Sequence, residues 1–398
     1  SSPAHTPLGI LRRSPSRSRE GDKRTVLHVL EALRGGTARH VLDVVRSVDG
    51  YRHHVATPPS TQREGASGAP PDTAAREAMA AAGAILHTVP MSRSPGNPAN
   101  VAGVLALKGL LFKVRPAVVH GHSSVGGAVG RLAAWGQAPA VYTPNGLHPA
   151  PSARAVERLL GPLTAALVAV SASEAEEIFE TGLIPGSRVA VIPNGIDLAP
   201  PGPPTLELRE RFGLPAATPL VGTVARLVDQ KAPVEHVAAF VELGKTHPDV
   251  HFVLIGQGPL QDDVDLAVAL GGIGDRFHQL PSLSRAASVL GQLDVFCLLS
   301  MFEGGPYTPL EAMLAGSPVV LSDVVGNRDV VEDGVSGLLC PFADGKAAAA
   351  AMALLLDDPE LRARVAAAGR ERVLSRFGLP TMARRLGELY GQVIAGTF

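Results

Sequence analysis

The segment Ser300–Gly316, SMFEGGPYTPLEAMLAG, constrains this chain more than any other. LDVFCLLS before it is a continuous apolar run of the kind that fills a buried parallel strand. TPLEAMLAG has helical spacing with Gly316 as its stop, and PVVLS follows as another strand. Strand, glycine turn, helix, strand is the repeating unit of an open parallel α/β sheet. Its turn lies at the carboxyl end of the strands, where such sheets bind ligands. The backbone N–H groups of Gly304, Gly305, Tyr307 and Thr308 at the helix start suit an anion such as a diphosphate. Glu311, one turn into the helix, is within reach of a ribose diol, and Glu303 faces whatever lies beyond the phosphates. Either acid alone reads equally well as a solvated loop residue or as a helix-start acid favoured by the dipole. The glycine turn between them tips the balance toward a site.

The same segment resembles the signature of the retaining glycosyltransferases of family 4, which have the GT-B fold. The family pattern S-x-x-E-G-x-P-x-x-x-L-E-A-M-A-x-G-x-P-V-V is met by Ser300, Glu303, Gly304, Pro306, Leu310, Glu311, Ala312, Met313, Gly316, Pro318, Val319 and Val320. GTVARLVDQK (Gly222 to Lys231) is similar to the family's G-x-V-G-R-L-x-x-x-K, with Ala225 in place of the second glycine. VIPNGID (Val191 to Asp197) is similar to the motif that closes the family's first domain. The match is collinear from about Arg24 to Tyr390.

The resemblance implies two Rossmann-like domains facing across a cleft. A basic tail over 1–23, described as flexible, precedes an acceptor-side domain over 24–197. A nucleotide-sugar-binding domain spans 198–378, with the boundary in the proline-rich DLAPPGPPT, and a last helix over 379–398 returns to the first domain. It assigns Arg226 and Lys231 to the donor diphosphate. A leaving nucleoside diphosphate gains negative charge as its bond to the sugar breaks, so fixed cations act most strongly in the transition state. Gly36, in the turn Gly35-Gly36-Thr37, would approach the phosphates from the other side of the cleft. In AVVHGHSSVGG the second histidine of an H-x-H, His122, would stand by the donor sugar; His120 reads as a core histidine. Tyr142-Thr143-Pro144-Asn145 replaces a family histidine with Asn145, which hydrogen-bonds but does not carry a proton near neutral pH. Asn145 and His148 are the acceptor-binding candidates, and the loop Met91–Asn100 stands where relatives recruit the acceptor. FHQLPSL (Phe277 to Leu283) stands where they hold the base, mainly through backbone groups.

The implied activity is transfer of a hexose-type sugar, with retention, from a nucleotide sugar to an acceptor hydroxyl. UDP is the default nucleotide by family frequency and GDP stays open. Surface-polysaccharide or lipid-linked glycan assembly leads; decoration of a natural product and nucleotide-sugar epimerisation are the alternatives. A phosphorylase-like enzyme would need pyridoxal phosphate on a lysine. No metal or other cofactor is expected. Asp263-Val264-Asp265 spells the D-x-D of metal-dependent glycosyltransferases, but it falls inside a helix pattern rather than in a loop after a strand.

Other features bound the chain. With 398 residues, 45% hydrophobic and 18% charged, it can fill two cores. The formal net charge is −1, yet residues 1–197 carry 20 Lys and Arg against 14 Asp and Glu, and residues 198–398 carry 16 against 23. The basic half points to an anionic partner, a phosphorylated acceptor or a membrane surface, and nucleic acid is not among the expected partners. NVAGVLALKGLLFKVRP (Asn100 to Pro116) has the Leu-rich, Lys-dotted character of an interfacial helix, although such a helix more often packs on its own sheet. Cys297 and Cys340 sit in apolar strand segments as small core residues. No run reaches the ~18 apolar residues of a membrane span, so the expected location is cytoplasmic, with peripheral contact at the inner membrane face. PPSTQREGASGAPPD (Pro58 to Asp72) reads as a loop, and Ser173 as the N-cap of a helix carrying three structural glutamates.

Overall fold

A computed structural model describes residues 23–59, 72–148, 150–200, 202–283 and 285–398; residues 1–22 of the basic tail and most of the Pro58–Asp72 loop lie outside them. Among the described residues, apolar runs bounded by glycine turns form thirteen parallel strands. The first sheet holds β1 (Arg24–Val29), β2 (Tyr51–Thr57), β3 (Ile85–Thr88), β4 (Val118–His122), β5 (Ala140–Thr143), β6 (Ala166–Ala169) and β7 (Val189–Val191), in the order β3-β2-β1-β4-β5-β6-β7. The second holds β8 (Leu220–Val224), β9 (His251–Ile255), β10 (Phe277–Leu280), β11 (Val295–Leu298), β12 (Val319–Ser322) and β13 (Leu338–Cys340), in the order β10-β9-β8-β11-β12-β13. Both orders reverse direction beside their first strand, and a ligand crevice opens at that switch point.

Helices on both faces bury these strands, so β4, VVHGH, is buried at every position. Close helix approach is built into the sequence: a Cβ at Gly127 would stand 2.2 Å from the ring of Tyr142. A buried ion pair braces the next layer. Arg131 Nη2 donates to Glu157 Oε2 at 2.7 Å and lies 3.8 Å over the Tyr142 ring, whose hydroxyl donates to Glu157 Oε1 at 2.9 Å. This fastens the helix Pro151–Leu160, which borders the cleft.

The last helix, Leu379–Ala395, crosses back to the first domain. Its Met382, Leu386, Leu389 and Tyr390 pack with Val26, Val44, Val118 and Val168. Cys297 and Cys340 are buried free thiols. Asp263 and Asp265 lie on the helix Gln261–Gly271, where Asp265 accepts from Gln261, so they do not form a metal loop. One expectation is corrected: the N-cap of the helix Ala172–Thr181 is Ser171, whose hydroxyl accepts from the Glu174 N–H at 3.2 Å. The helix starts earlier than Ser173, and Ser173 is taken by a contact with the second domain. Glu174 is structural as expected, accepting from Val170 N and Gly146 N, both at 2.7 Å. Burial lifts its carboxyl to about 7 against those two N–H groups.

Candidate active site

The two sheets' carboxyl ends face each other across a cleft of about 840 Å³. Of the helices that begin on it, two face one another across the cleft. Tyr307–Leu314 and Gly35–Ser47 each have no side-chain cap and no acid in the first turn. Such ends attract anions through the N–H groups and the helix dipole. Gly36 and Tyr307 face one another, a Cβ at Gly36 standing 3.8 Å from the tyrosine ring. Gly304, Gly305 and Thr308 complete the second-domain wall. Gly304 must be glycine, because a Cβ there would lie 2.5 Å from the backbone of Asn145 and Gly146 in the first domain.

Lys231 and Glu303 reach this wall from neighbouring loops. Met301 N donates to Gln230 O at 2.9 Å and Gln230 Nε2 to Phe302 O at 3.1 Å, which holds the loops side by side. Lys231 Nζ then donates to Glu303 Oε1 at 2.5 Å, with Glu303 only 5% exposed. Behind them His236 ties the start of the helix Pro233–Thr246 to the end of β11. Its Nδ1 donates to Ala232 O at 3.0 Å and its Nε2 accepts from Leu299 N at 2.9 Å. Burial lowers its imidazole to about 4. Arg226 lies over Gly35, its guanidinium carbon 3.8 Å from where a Cβ would stand. It has no ion-pair or hydrogen-bond partner among the described residues, and burial and then Arg93 lower its affinity for a proton while Glu303 opposes them.

Glu311, the expected ribose partner, is held across the cleft: Arg39 Nη1 donates to its Oε1 at 2.5 Å while the same guanidinium lies 4.3 Å over the Tyr307 ring. Glu311 borders an adjoining cavity with Arg39, Asp43 and Arg285, and Leu283 and Ala286 wall both cavities. The segment Phe277–Leu283 thus leads to this second chamber. Further polar contacts join the domains. Asn194 accepts from His40 Nδ1 at 2.9 Å and donates to Gly305 O at 2.8 Å. Asp329 accepts from Ala172 N at 3.0 Å, and from the amide and hydroxyl of Ser173.

His122 does not line the cleft. It is fully buried, sharing a 3.1 Å hydrogen bond with His28, and its Nδ1 has no partner among the described residues. The cause is local: β4 carries the side chain into the sheet, and the chain turns into the cleft only at Ser123, a non-glycine residue at φ 59°. His120 is a core histidine, bonded to Tyr390 Oη at 2.6 Å and Thr143 Oγ1 at 2.7 Å. Asn145 and His148 both line the cleft; Asn145 has φ 58°, a left-handed conformation in which asparagine is enriched. Arg39, Arg93, Asn194 and Ser123 were not singled out from the sequence. Only Asn194 carried a signal, as the asparagine of the I-P-N-G turn.

Known proteins match this arrangement. The model for group 1 glycosyl transferases matches residues 205–372, and that for Glycosyltransferase Family 4 matches residues 34–200. The D-inositol 3-phosphate glycosyltransferase of Thermobispora bispora is 31% identical over 74% of this chain and 74% of its own. The alpha-maltose-1-phosphate synthase of Mycolicibacterium smegmatis is 32% identical over 70% of this chain and 79% of its own. Among solved structures, sucrose-phosphate synthase of Thermosynechococcus elongatus superimposes with a TM-score of 0.79 at 21% identity, covering 94% of this chain and all of that one. The Anabaena protein HepE, solved with UDP and glucose, gives 0.77 at 20%, covering 93% of this chain and all of its own. With the motifs collinear and the two facing sheets in place, the chain belongs to the family 4 glycosyltransferases of GT-B fold.

Proposed function

We propose that this enzyme moves a hexose-type sugar, with retention, from a UDP-sugar to an acceptor hydroxyl without a metal. One observation carries the reading: Arg226, Lys231 and two uncapped helix starts converge on one cleft between the domains. The names of the similar structures, HepE with UDP-glucose among them, support the nucleotide. The diphosphate would lie on the N–H groups of the helix Tyr307–Leu314 with Arg226 and Lys231 beside it, and the nucleoside in the chamber bordered by Glu311. As the bond from the anomeric carbon to the diphosphate breaks, the acceptor oxygen bonds to that carbon on the same face, and its proton passes to the leaving phosphate. Glu303, held by Lys231, orients the sugar hydroxyls.

Thermal stabilisation by UDP, GDP, ADP and TDP, each with EDTA and with magnesium, tests this. One nucleotide is expected to stabilise the enzyme in EDTA. Glu311→Ala should lose that effect, while Arg39→Gln, which frees Glu311, should keep it. Stabilisation only with magnesium would overturn the metal-free site, and no response to any nucleotide would overturn the donor reading. Donor conversion without an acceptor would identify an epimerase.

We further propose a lipid-linked acceptor presented at an anionic membrane. Among the described residues no helix is long and apolar enough to cross a bilayer. The helix Ala99–Val114, however, buries Gly103, Leu107 and Leu111 while leaving Val101, Leu105 and Phe112 66–72% exposed, and Trp135, at the end of the helix Ser124–Ala134 packed beside it, is 69% exposed. Lys108, Lys113 and Arg115 stand on or just past this helix, Lys113 and Arg115 exposed, and the sequence has no Asp or Glu between Glu77 and Glu157. An apolar face flanked by cations suits anionic headgroups. The protein is expected to float with vesicles containing phosphatidylglycerol and not with phosphatidylcholine alone, and Leu105→Gln/Phe112→Gln to release it. Equal recovery of both proteins in the lower fractions would sink the idea.

A further inference from the structure

The charges around the cleft do not balance within the protein. Arg34 is paired with Asp72 at 2.9 Å, Lys231 with Glu303 at 2.5 Å, and Glu31 accepts from Gly126 N at 2.9 Å. Two cations on the wall remain, Arg226 from the second domain and Arg93 from the first, and neither has an ion-pair partner among the described residues. Both line the same cleft, and Arg93 is near enough to disfavour the charge on Arg226. Two unpaired guanidinium groups brought together by the closed cleft repel, and an anion between them turns that repulsion into attraction.

Arg93 is not placed there by chance of a loose loop. Asn100, 9% exposed, bonds to the residues on both sides of it: its Oδ1 accepts from Ser92 N at 2.8 Å, and its Nδ2 donates to Ser94 O at 2.9 Å and Pro95 O at 3.2 Å. The loop's base is pressed equally tightly, since a Cβ at Gly103 would stand 2.3 Å from Pro90 O. One buried amide therefore sets the backbone that aims Arg93.

We infer that Arg93 and Arg226 form a phosphate subsite shared by the two domains, with Asn100 as the positioning residue. The inference rests on the donor reading above and adds to it a first-domain cation. The phosphate can come from the donor diphosphate or from a phosphomonoester on the acceptor, and the two sources are separable.

Calorimetric titration of the full chain with UDP, uridine and, after UDP loading, glucose 1-phosphate tests it. If the anion is the donor's, Arg93→Gln weakens UDP about 10-fold, the scale of losing one charge-assisted contact. Uridine binding is unchanged, and Arg93→Lys recovers most of the loss. If it is the acceptor's, UDP affinity is unchanged and Arg93→Gln abolishes binding of the sugar phosphate. Asn100→Ala should reproduce the Arg93→Gln defect with little change in melting temperature, and the double variant should be no worse than Arg93→Gln, since both act through one contact. Unchanged binding in both arms, or fully additive losses, would overturn the subsite alone. A parent enzyme that binds no nucleoside diphosphate would overturn the donor reading as well.

Discussion

Lys231→Ala is expected to lower turnover by at least about 100-fold, the scale of losing one preorganised transition-state charge contact. Lys231 is positioned before any substrate arrives, by its 2.5 Å bond to Glu303 and by the clasp between the Gln230 and Phe302 loops. Its removal also strands Glu303, which is 5% exposed, and breaking a partly buried pair destabilises a fold by itself. The two effects separate in the double variant. Lys231→Ala/Glu303→Gln removes the stranded charge, so its melting temperature should return toward the parent's while turnover stays low. Turnover of Lys231→Ala within a few-fold of the parent, measured with a matched UDP-sugar, would remove Lys231 from the chemistry.

Acid should unfold this protein in a pH range set by its histidines. His28, His40, His120, His122 and His236 are fully buried, and burial lowers all five imidazoles below their ordinary value, His40 and His236 to about 4. The unfolded chain takes up protons near pH 6.5, the folded one much lower, so the stability of the neutral forms is complete above 6.5 and is lost as pH falls toward 4. Each such histidine contributes a slope of about 1.4 kcal/mol per pH unit within that window. Glu174 and Asp43 act in the opposite sense, because burial raises them to about 7 and about 6, so the folded state holds their protons more tightly. His53, His54, His87, His251 and His278, less deeply buried, are lowered as well, so the histidines outweigh the two carboxyls and leave a steep net loss. Melting temperature followed from pH 8 to pH 4 should fall sharply below 6.5, and a flat profile to 4.5 would overturn the account. His236→Gln, which retains a donor and an acceptor, should flatten the slope by one group's share.

The fold was legible because parallel strands buried on both faces are written as apolar runs, and the turns between them as glycine. LDVFCLLS and PVVLS needed no partner sequence to be recognised. The second-domain wall of the cleft was legible for the same reason: Glu303 to Glu311 is one continuous segment, and Arg226 and Lys231 lie five positions apart. What could not be read is whatever depends on closure. Arg39 meets Glu311 across 272 positions and Ser173 meets Asp329 across 156, and neither partner marks the other in sequence. His122 shows a different limit. Its place in the chain put it at the cleft, but the side-chain direction at the end of β4 is settled by one residue of alternation, and the chain turns outward only at Ser123. Ser171 and Ser173 differ in the same way, both being adequate caps until the second domain claims one of them.

The seat of Gly304 on the Asn145–Gly146 backbone bears on how this enzyme could be redesigned. Where main chain rests on main chain there is no side chain to exchange, so substitutions in the floor of the cleft can only push the halves apart. Variation that alters what is glycosylated without disturbing how the donor is held has to come from the rim. The segment around Arg93 and the outer face of Pro151–Leu160 are the places where a library of variants would have room to work.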